Sequence, residues 1–179
     1  RNDKQATAWF QKAANQGLAK AQYNLGVSYS TGRGVAQDPK QAAAWYQKAA
    51  NQGYADAQYN LGVMYSKGRG VVQDYKQAAV WYREAANQGN VTAQYNLGAM
   101  YISGLGVTQN DRQAFEWFQK AANQGHATSQ YNVGAMYAEG RGVAQDYQQA
   151  KIWYQKVLAH PDTADNAEIK AMARRGLQQ

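Results

Sequence analysis

Tryptophan returns at a fixed interval: Trp9, Trp45, Trp81, Trp117 and Trp153 each stand 36 residues after the last. The string AQYNLG keeps the same step, beginning at Ala21, Ala57 and Ala93 and returning as SQYNVG at Ser129. A catalytic site is built once, so text that returns this often specifies structure. A period of this length holds one supersecondary unit that cannot bury its apolar face alone, and stacking neighbours makes the core continuous. The step runs without insertion, which predicts one solenoid domain over residues 1–179.

Two helices are legible in each period. The second, B, opens at DPKQ, with Asp38 as N-cap, Pro39 at the first helical position and Gln41 closing a capping box. Asp74/Gln77, Asn110/Gln113, Asp146/Gln149 and Asn2/Gln5 repeat the pattern. Ala42, Trp45, Tyr46, Ala49 and Ala50 then form one apolar stripe at helical spacing. Lys48 suits the negative end of the helix, and Gly53 is placed for a left-handed cap. The first helix, A, carries Ala21, Leu25, Ser28 and Tyr29 on one side and stops at Gly32. Mid-helix glycine costs about 1 kcal/mol against alanine. The recurrence of Gly26, Gly62, Gly98 and Gly134 therefore predicts a close approach between helices. The GRGV corner turns the chain, with Val35 packed beneath it.

The array divides into full A–B pairs at 18–53, 54–89, 90–125 and 126–161. A lone B helix at 2–17 precedes them, and residues 162–179 hold a diverged A-like helix at about 163–175. In that last helix Ile169 keeps the leucine column, Lys170 replaces glycine and Ala173 replaces tyrosine. It is predicted to be a terminal cap facing water.

Chemistry finds little footing. With no cysteine, disulfides and thiolate metal sites are excluded. His126 and His160 have no partners at ligand spacing and read as free loop or terminal residues, so no metal and no cofactor is expected. No serine opens an S-x-x-K motif. The GRGV corners follow no strand, and Leu105 replaces the arginine in one, so a helix cap is preferred to a phosphate cradle. No apolar run approaches the ~18 residues of a membrane helix. Arg1 in first place reads as an upstream end that is missing or processed. The formal charge of +7 resolves into columns, Lys4, Lys40, Lys76 and Arg112, and Lys12, Lys48, Lys120 and Lys156. These are expected on a solvated outer face, with an anionic partner as the rival reading.

The pattern A-x-x-x-L-G-x-x-Y-x-x-G-x-G-V followed by D-x-x-x-A-x-x-W-Y-x-K-A-A-x-x-G resembles the Sel-1-like repeat family. That family is a relative of the tetratricopeptide repeat, whose step is about 34 residues. Ala21, Leu25, Gly26, Tyr29, Gly32, Gly34, Val35, Asp38, Ala42, Trp45, Tyr46, Lys48, Ala49, Ala50 and Gly53 match as they stand. The resemblance implies an all-α, right-handed α-solenoid that scaffolds protein–protein interactions. It also implies a bacterial source, with a periplasmic or secreted location ahead of a cytoplasmic one. Some cysteine-rich members are linked to β-lactam binding, a link that a chain without cysteine does not strengthen.

On helix A, Tyr23 and Val27 lie opposite the Ala21–Leu25–Tyr29 face, flanked by Asn24. These offsets resemble the ligand-facing positions of tetratricopeptide first helices. The candidate concave-face set is thus Tyr23, Asn24, Val27, Tyr59, Asn60, Val63, Tyr95, Asn96, Tyr131 and Asn132. An aromatic and an amide per repeat suit an extended peptide. The same columns also suit packing between A helices, with the asparagines bonding neighbouring repeats. Lys20 and Asp56 differ down one column, and Thr31, Lys67 and Glu139 down another, where selectivity can reside. The expected function is a non-catalytic scaffold holding a protein or peptide in its groove, without nucleic acid and without membrane insertion. The rival classes are a cell-envelope enzyme or β-lactam-binding protein, and a basic binder of nucleic acid or anionic surfaces.

Overall fold

The computed structural model describes residues 2–178; Arg1, with the expectation placed on it, and Gln179 lie outside the described residues. Among the described residues there are ten α-helices and no strand. They are α1 (Asp3–Asn15), α2 (Ala19–Thr31), α3 (Pro39–Asn51), α4 (Ala55–Lys67) and α5 (Tyr75–Asn87), then α6 (Val91–Ser103), α7 (Asp111–Asn123), α8 (Ala127–Glu139), α9 (Tyr147–Leu158) and α10 (Ala164–Gly176). Even-numbered helices are the A helices of the sequence and odd-numbered ones the B helices. The chain forms two compact units, Arg1–Ala93 and Gln94–Gln179.

In the first unit α2 packs on α1 and α3, and α4 on α3 and α5. The B helices start where a side chain receives their free N–H groups. Asp38 accepts from the backbone N–H of Lys40 at 2.9 Å and Gln41 at 3.1 Å, and Asp74 does the same for Lys76 and Gln77. Each such cap contributes about 1 kcal/mol. The capping is one-sided, because Gln41 makes no side-chain bond back to Asp38 among the described residues, and Asn2 caps α1 without a side-chain bond. Each corner closes by a backbone bond, from the Asp38 N–H to the Tyr29 carbonyl and from Asp74 to Tyr65. Leu25, Leu61, Ala42, Ala49 and Ala57 are fully buried, with Val71 against the core as its position beneath the corner requires.

Gly62 has a steric reason to be glycine. A Cβ there would lie 2.7 Å from the Tyr82 ring, so the close approach is helix backbone against an aromatic face. Gly70 does more than turn the chain. It sits at φ +74°, and a Cβ would collide with the Pro39 carbonyl of the preceding B helix. The corner glycine is therefore a packing position as well as a turn.

The tryptophans separate into three environments. Trp45, Trp117 and Trp153 are buried, Trp81 is only partly buried, and Trp9 is 70% exposed. Core packing, expected for all five, is corrected for Trp9 and qualified for Trp81. Trp45 packs on Ala21 and Leu25 of the preceding A helix. Lys48, Lys120 and Lys156 hold their ammonium groups 4.0, 4.1 and 3.8 Å from the ring centres of the buried three. At Trp81 the corresponding residue is Glu84, so no cation covers the ring, and its buried indole N–H has no acceptor among the described residues. The lysine is therefore a lid on the three buried tryptophans, with its ammonium over the ring face.

In the second unit α8 packs on α7 and α9, and α10 on both α8 and α9. The helix expected at about 163–175 is α10, but its glycine-column residue departs from a water-facing cap. Lys170 is 4% exposed and donates to Asp162 Oδ1 at 2.6 Å and to the His160 carbonyl at 2.5 Å. The Asp162 carboxyl is held below its usual range by hydrogen bonding to that ammonium.

Candidate functional site

The A helices present the predicted columns at half-buried positions. In the first unit these are Tyr23, Asn24 and Val27 on α2, and Tyr59, Asn60 and Val63 on α4. Tyr23 meets Tyr46 of its own repeat at 5.8 Å between ring centres, and Tyr54, which opens the next repeat, at 5.1 Å. Burial pushes the phenols of Tyr23 and Tyr46 up, and the approach of Asn60 to both and of Ser30 to Tyr46 opposes that rise. Tyr59 meets Tyr82 at 5.9 Å. In the second unit, Tyr95, Asn96, Tyr131 and Asn132 are likewise half-buried. Tyr95 rests on Phe118 and His126, and Tyr131 on Tyr154. Every tyrosine of the column thus has a packing partner and an exposed remainder.

A substitution beneath the column opens space. The B-helix aromatic is Phe10, Tyr46, Tyr82, Phe118 and Tyr154 in turn. In the first unit a cavity of about 260 Å³ lies over Phe10, lined by Asn24 and Val27. In the second, a cavity of about 340 Å³ lies over Phe118, lined by Ile102, Tyr131, Asn132 and Glu139. Phenylalanine offers no hydroxyl, and among the described residues the amides of Asn24 and Asn132 have no hydrogen-bond partner. A half-buried amide without a partner is an unmet donor and acceptor pair, the feature that binds polypeptide backbone.

Of the proposed selectivity positions, Lys20, Asp56, Thr31, Lys67 and Glu139 are all exposed. Thr31 spends its hydroxyl on the Val27 carbonyl of its own helix at 2.8 Å, which leaves less of it for a partner. The histidines are not free residues. His126 caps α8 through Nδ1, which lies 3.2 Å from the Ser129 N–H and 2.8 Å from its Oγ. His160 Nε2 lies 2.8 Å from Gln130 Oε1. Burial, with His160 as a second cause, pushes the His126 imidazole down.

That last contact belongs to a device the sequence reading missed. Gln22 donates to the Ala14 carbonyl of the preceding B helix and accepts from Gln52 at the end of its own. Gln58 with Ala50 and Gln88 repeats this clasp, and Gln130 with Ala122 and His160 closes it in the second unit. The sequence signal was the recurrence of two glutamines, one beside each column tyrosine as Gln22, Gln58, Gln94 and Gln130, and one in each NQG string as Gln52, Gln88 and Gln124.

These helix pairs, tied by one clasp and turned by one corner, define a repeat protein of the α-solenoid class. The Sel1 repeat model matches residues 1–18, 19–54, 55–90, 91–126 and 127–157, nearly the whole length. The chain belongs to the Sel1 repeat family. It is similar to the c5321 protective antigen of uropathogenic Escherichia coli, at 35% identity and a TM-score of 0.84, over 98% of this chain and 41% of that one. It is also similar to a Sel1 repeat protein of Oxalobacter formigenes, at 40% identity and a TM-score of 0.82, over 96% of this chain and 50% of that one. A weaker likeness joins it to cysteine-rich protein B of Helicobacter pylori, at 25% identity and a TM-score of 0.55, over 69% and 93% of the two chains. This chain therefore spans half or less of the first two neighbours. A comparison with curated proteins gave no match. Sel1 repeat proteins are in general non-enzymatic scaffolds for protein–protein interaction. Among the described residues, no helix is long and apolar enough to cross a membrane.

Proposed function

We propose that the A-helix face of this chain binds an extended segment of a protein partner, without catalysis. The observation that carries the reading is the pairing of half-buried tyrosine with an amide that lacks an internal partner, beside the cavities at Asn24 and Asn132. Apolar area from the rings and backbone hydrogen bonds from the amides are what a peptide groove supplies. The rival reading, an anionic surface held by the outer lysines, loses much of its material. Lys48, Lys120 and Lys156 already cover tryptophans.

The test is photo-cross-linking. A photoreactive residue at Ala99 or Ala135 should capture peptides selected on the chain from a random library, whereas one at Val80, exposed on α5, should not. Asn132→Leu should weaken the selected peptides several-fold while leaving helical content unchanged by circular dichroism. Capture through Val80 alone would move the site off the A-helix face.

A further inference from the structure

In the second unit a cavity of about 490 Å³ lies between α8, α9 and α10, lined by Tyr131, Glu139, Lys151, Tyr154, Arg175 and Gly176 among others. It stands one repeat beyond the cavity over Phe118, with Tyr154 in place of that phenylalanine. Tyr154 as a whole is 4% exposed, but it lines the cavity, and its hydroxyl has no hydrogen-bond partner among the described residues. The same phenol in the first unit, on Tyr46, is flanked by Ser30 and Asn60. Here Ala138 stands in the serine column and Glu168 in the asparagine column, and Glu168 is exposed and does not line the cavity. Gly176 brings α10 against the tyrosine, since a Cβ there would lie 2.5 Å from Tyr154 Cε2. The result is a phenol at the cavity wall with no hydrogen-bond partner among the described residues.

The charges beside it are unbalanced. Lys151 and Arg175 line the cavity without ion-pair partners among the described residues. Glu139 lines it too, but also lines the neighbouring cavity, where its field acts on Arg141. Burial, together with Tyr131 and Glu139, pushes the Tyr154 phenol up to about 12, so near neutral pH it is an O–H donor. A donor hydroxyl and two unpaired cations around one cavity call for an anionic acceptor of small size.

We propose that this cavity is the subsite that receives a carboxylate of the bound polypeptide, either an acidic side chain or the C-terminal group. The proposal rests on the peptide-groove reading given above. Tyr154 donates its hydroxyl to one carboxylate oxygen, and Lys151 and Arg175 neutralise the charge.

The experiment titrates the full chain against fluorescein-labelled octapeptides in an alanine–serine background. They carry one central Glu, Gln or Lys, and each is made with a free and an amidated C-terminus. The Glu peptides should bind at least about tenfold tighter than Gln if the side chain is the source, and the free C-terminus about tenfold tighter than the amide if the terminus is. Tyr154→Phe, a residue the chain itself carries at Phe118, should keep the fold and shrink that preference several-fold. Lys151→Ala with Arg175→Ala should abolish it while uncharged peptides still bind. Equal affinity for every charge form in the parent, or a preference that survives the double change, overturns the carboxylate site. If those peptides still lose affinity in Asn132→Leu, the groove reading stands without it. If no peptide binds at millimolar protein, both readings fall.

Discussion

Trp45 and Trp81 occupy the same column on α3 and α5, and among the positions that differ around them is the one three residues on, Lys48 in one and Glu84 in the other. Trp45 is buried under the Lys48 ammonium, 4.0 Å from its ring centre, whereas Trp81 has Glu84 there and stays partly open. The difference teaches that an exposed, charged residue is part of the hydrophobic core's cover. A lysine lays its methylenes and its charge on the ring, while a glutamate is shorter and meets the negative face of the π-system.

The largest expected effect tests the burial itself. Trp45→Ala should cost ~3–5 kcal/mol by thermal or denaturant melting, and Trp81→Ala about 2 kcal/mol. Equal losses would show that the lid does not matter. Beneath both sites lies a control, because Gly26 and Gly62 each hold a tyrosine ring at 2.7 Å from where a Cβ would stand. Gly26→Leu and Gly62→Leu should therefore cost the same, about 3 kcal/mol each. A large gap between them would mean the two repeats differ below the tryptophans as well. Exchanging the lids is the sharper test: Lys48→Glu should lose about 1 kcal/mol, and Glu84→Lys should gain about 0.5 kcal/mol while shielding Trp81 from acrylamide quenching. No protection in Glu84→Lys would remove the lysine lid as the cause.

The smallest effect lies in the second unit, where His126 takes the capping place that Asn90 holds in the first, with Asn90 Oδ1 accepting from the Ala93 N–H at 2.8 Å. Burial depresses the His126 pKa below 6.5, so under acid the unfolded chain binds the proton first. Stability is thus fully present above the unfolded pKa and lost as pH falls through the folded one. His126→Asn should flatten the acid side of the melting profile and leave the neutral side unchanged.

Much of this was legible in the sequence, since periodicity fixes which residues share a face. The ten helices, the Asp38-type caps and a close approach at the mid-helix glycines follow from spacing alone. Readings failed where a residue's role is set by a contact that spacing does not assign, such as the tyrosine ring against Gly62. Lys48 was read as answering the helix dipole because its ring partner, three residues earlier, counted only as core. Lys170 was placed in its column correctly, but spacing does not say that its ammonium turns back to Asp162 and the His160 carbonyl. For the proposed face the columns were visible, yet the amides of Asn24 and Asn132 stand over Phe10 and Phe118, which offer them no hydroxyl, a difference that residue class conceals.

The glutamine clasp has a consequence for how such a chain changes over generations. Gln22 and Gln52 are both supplied by one 36-residue cassette, and the other acceptors in the bond set, at Ala14 and Gly17, are backbone carbonyls that any residue provides. A cassette copied in or deleted in register by recombination meets its new neighbour with the same groups as the old one. Gene duplication can therefore lengthen or shorten the array without compensating substitutions, while an insertion of one residue inside a cassette breaks the clasp at once. Length is then a freely heritable variable, and the A-helix face can be extended one tyrosine at a time.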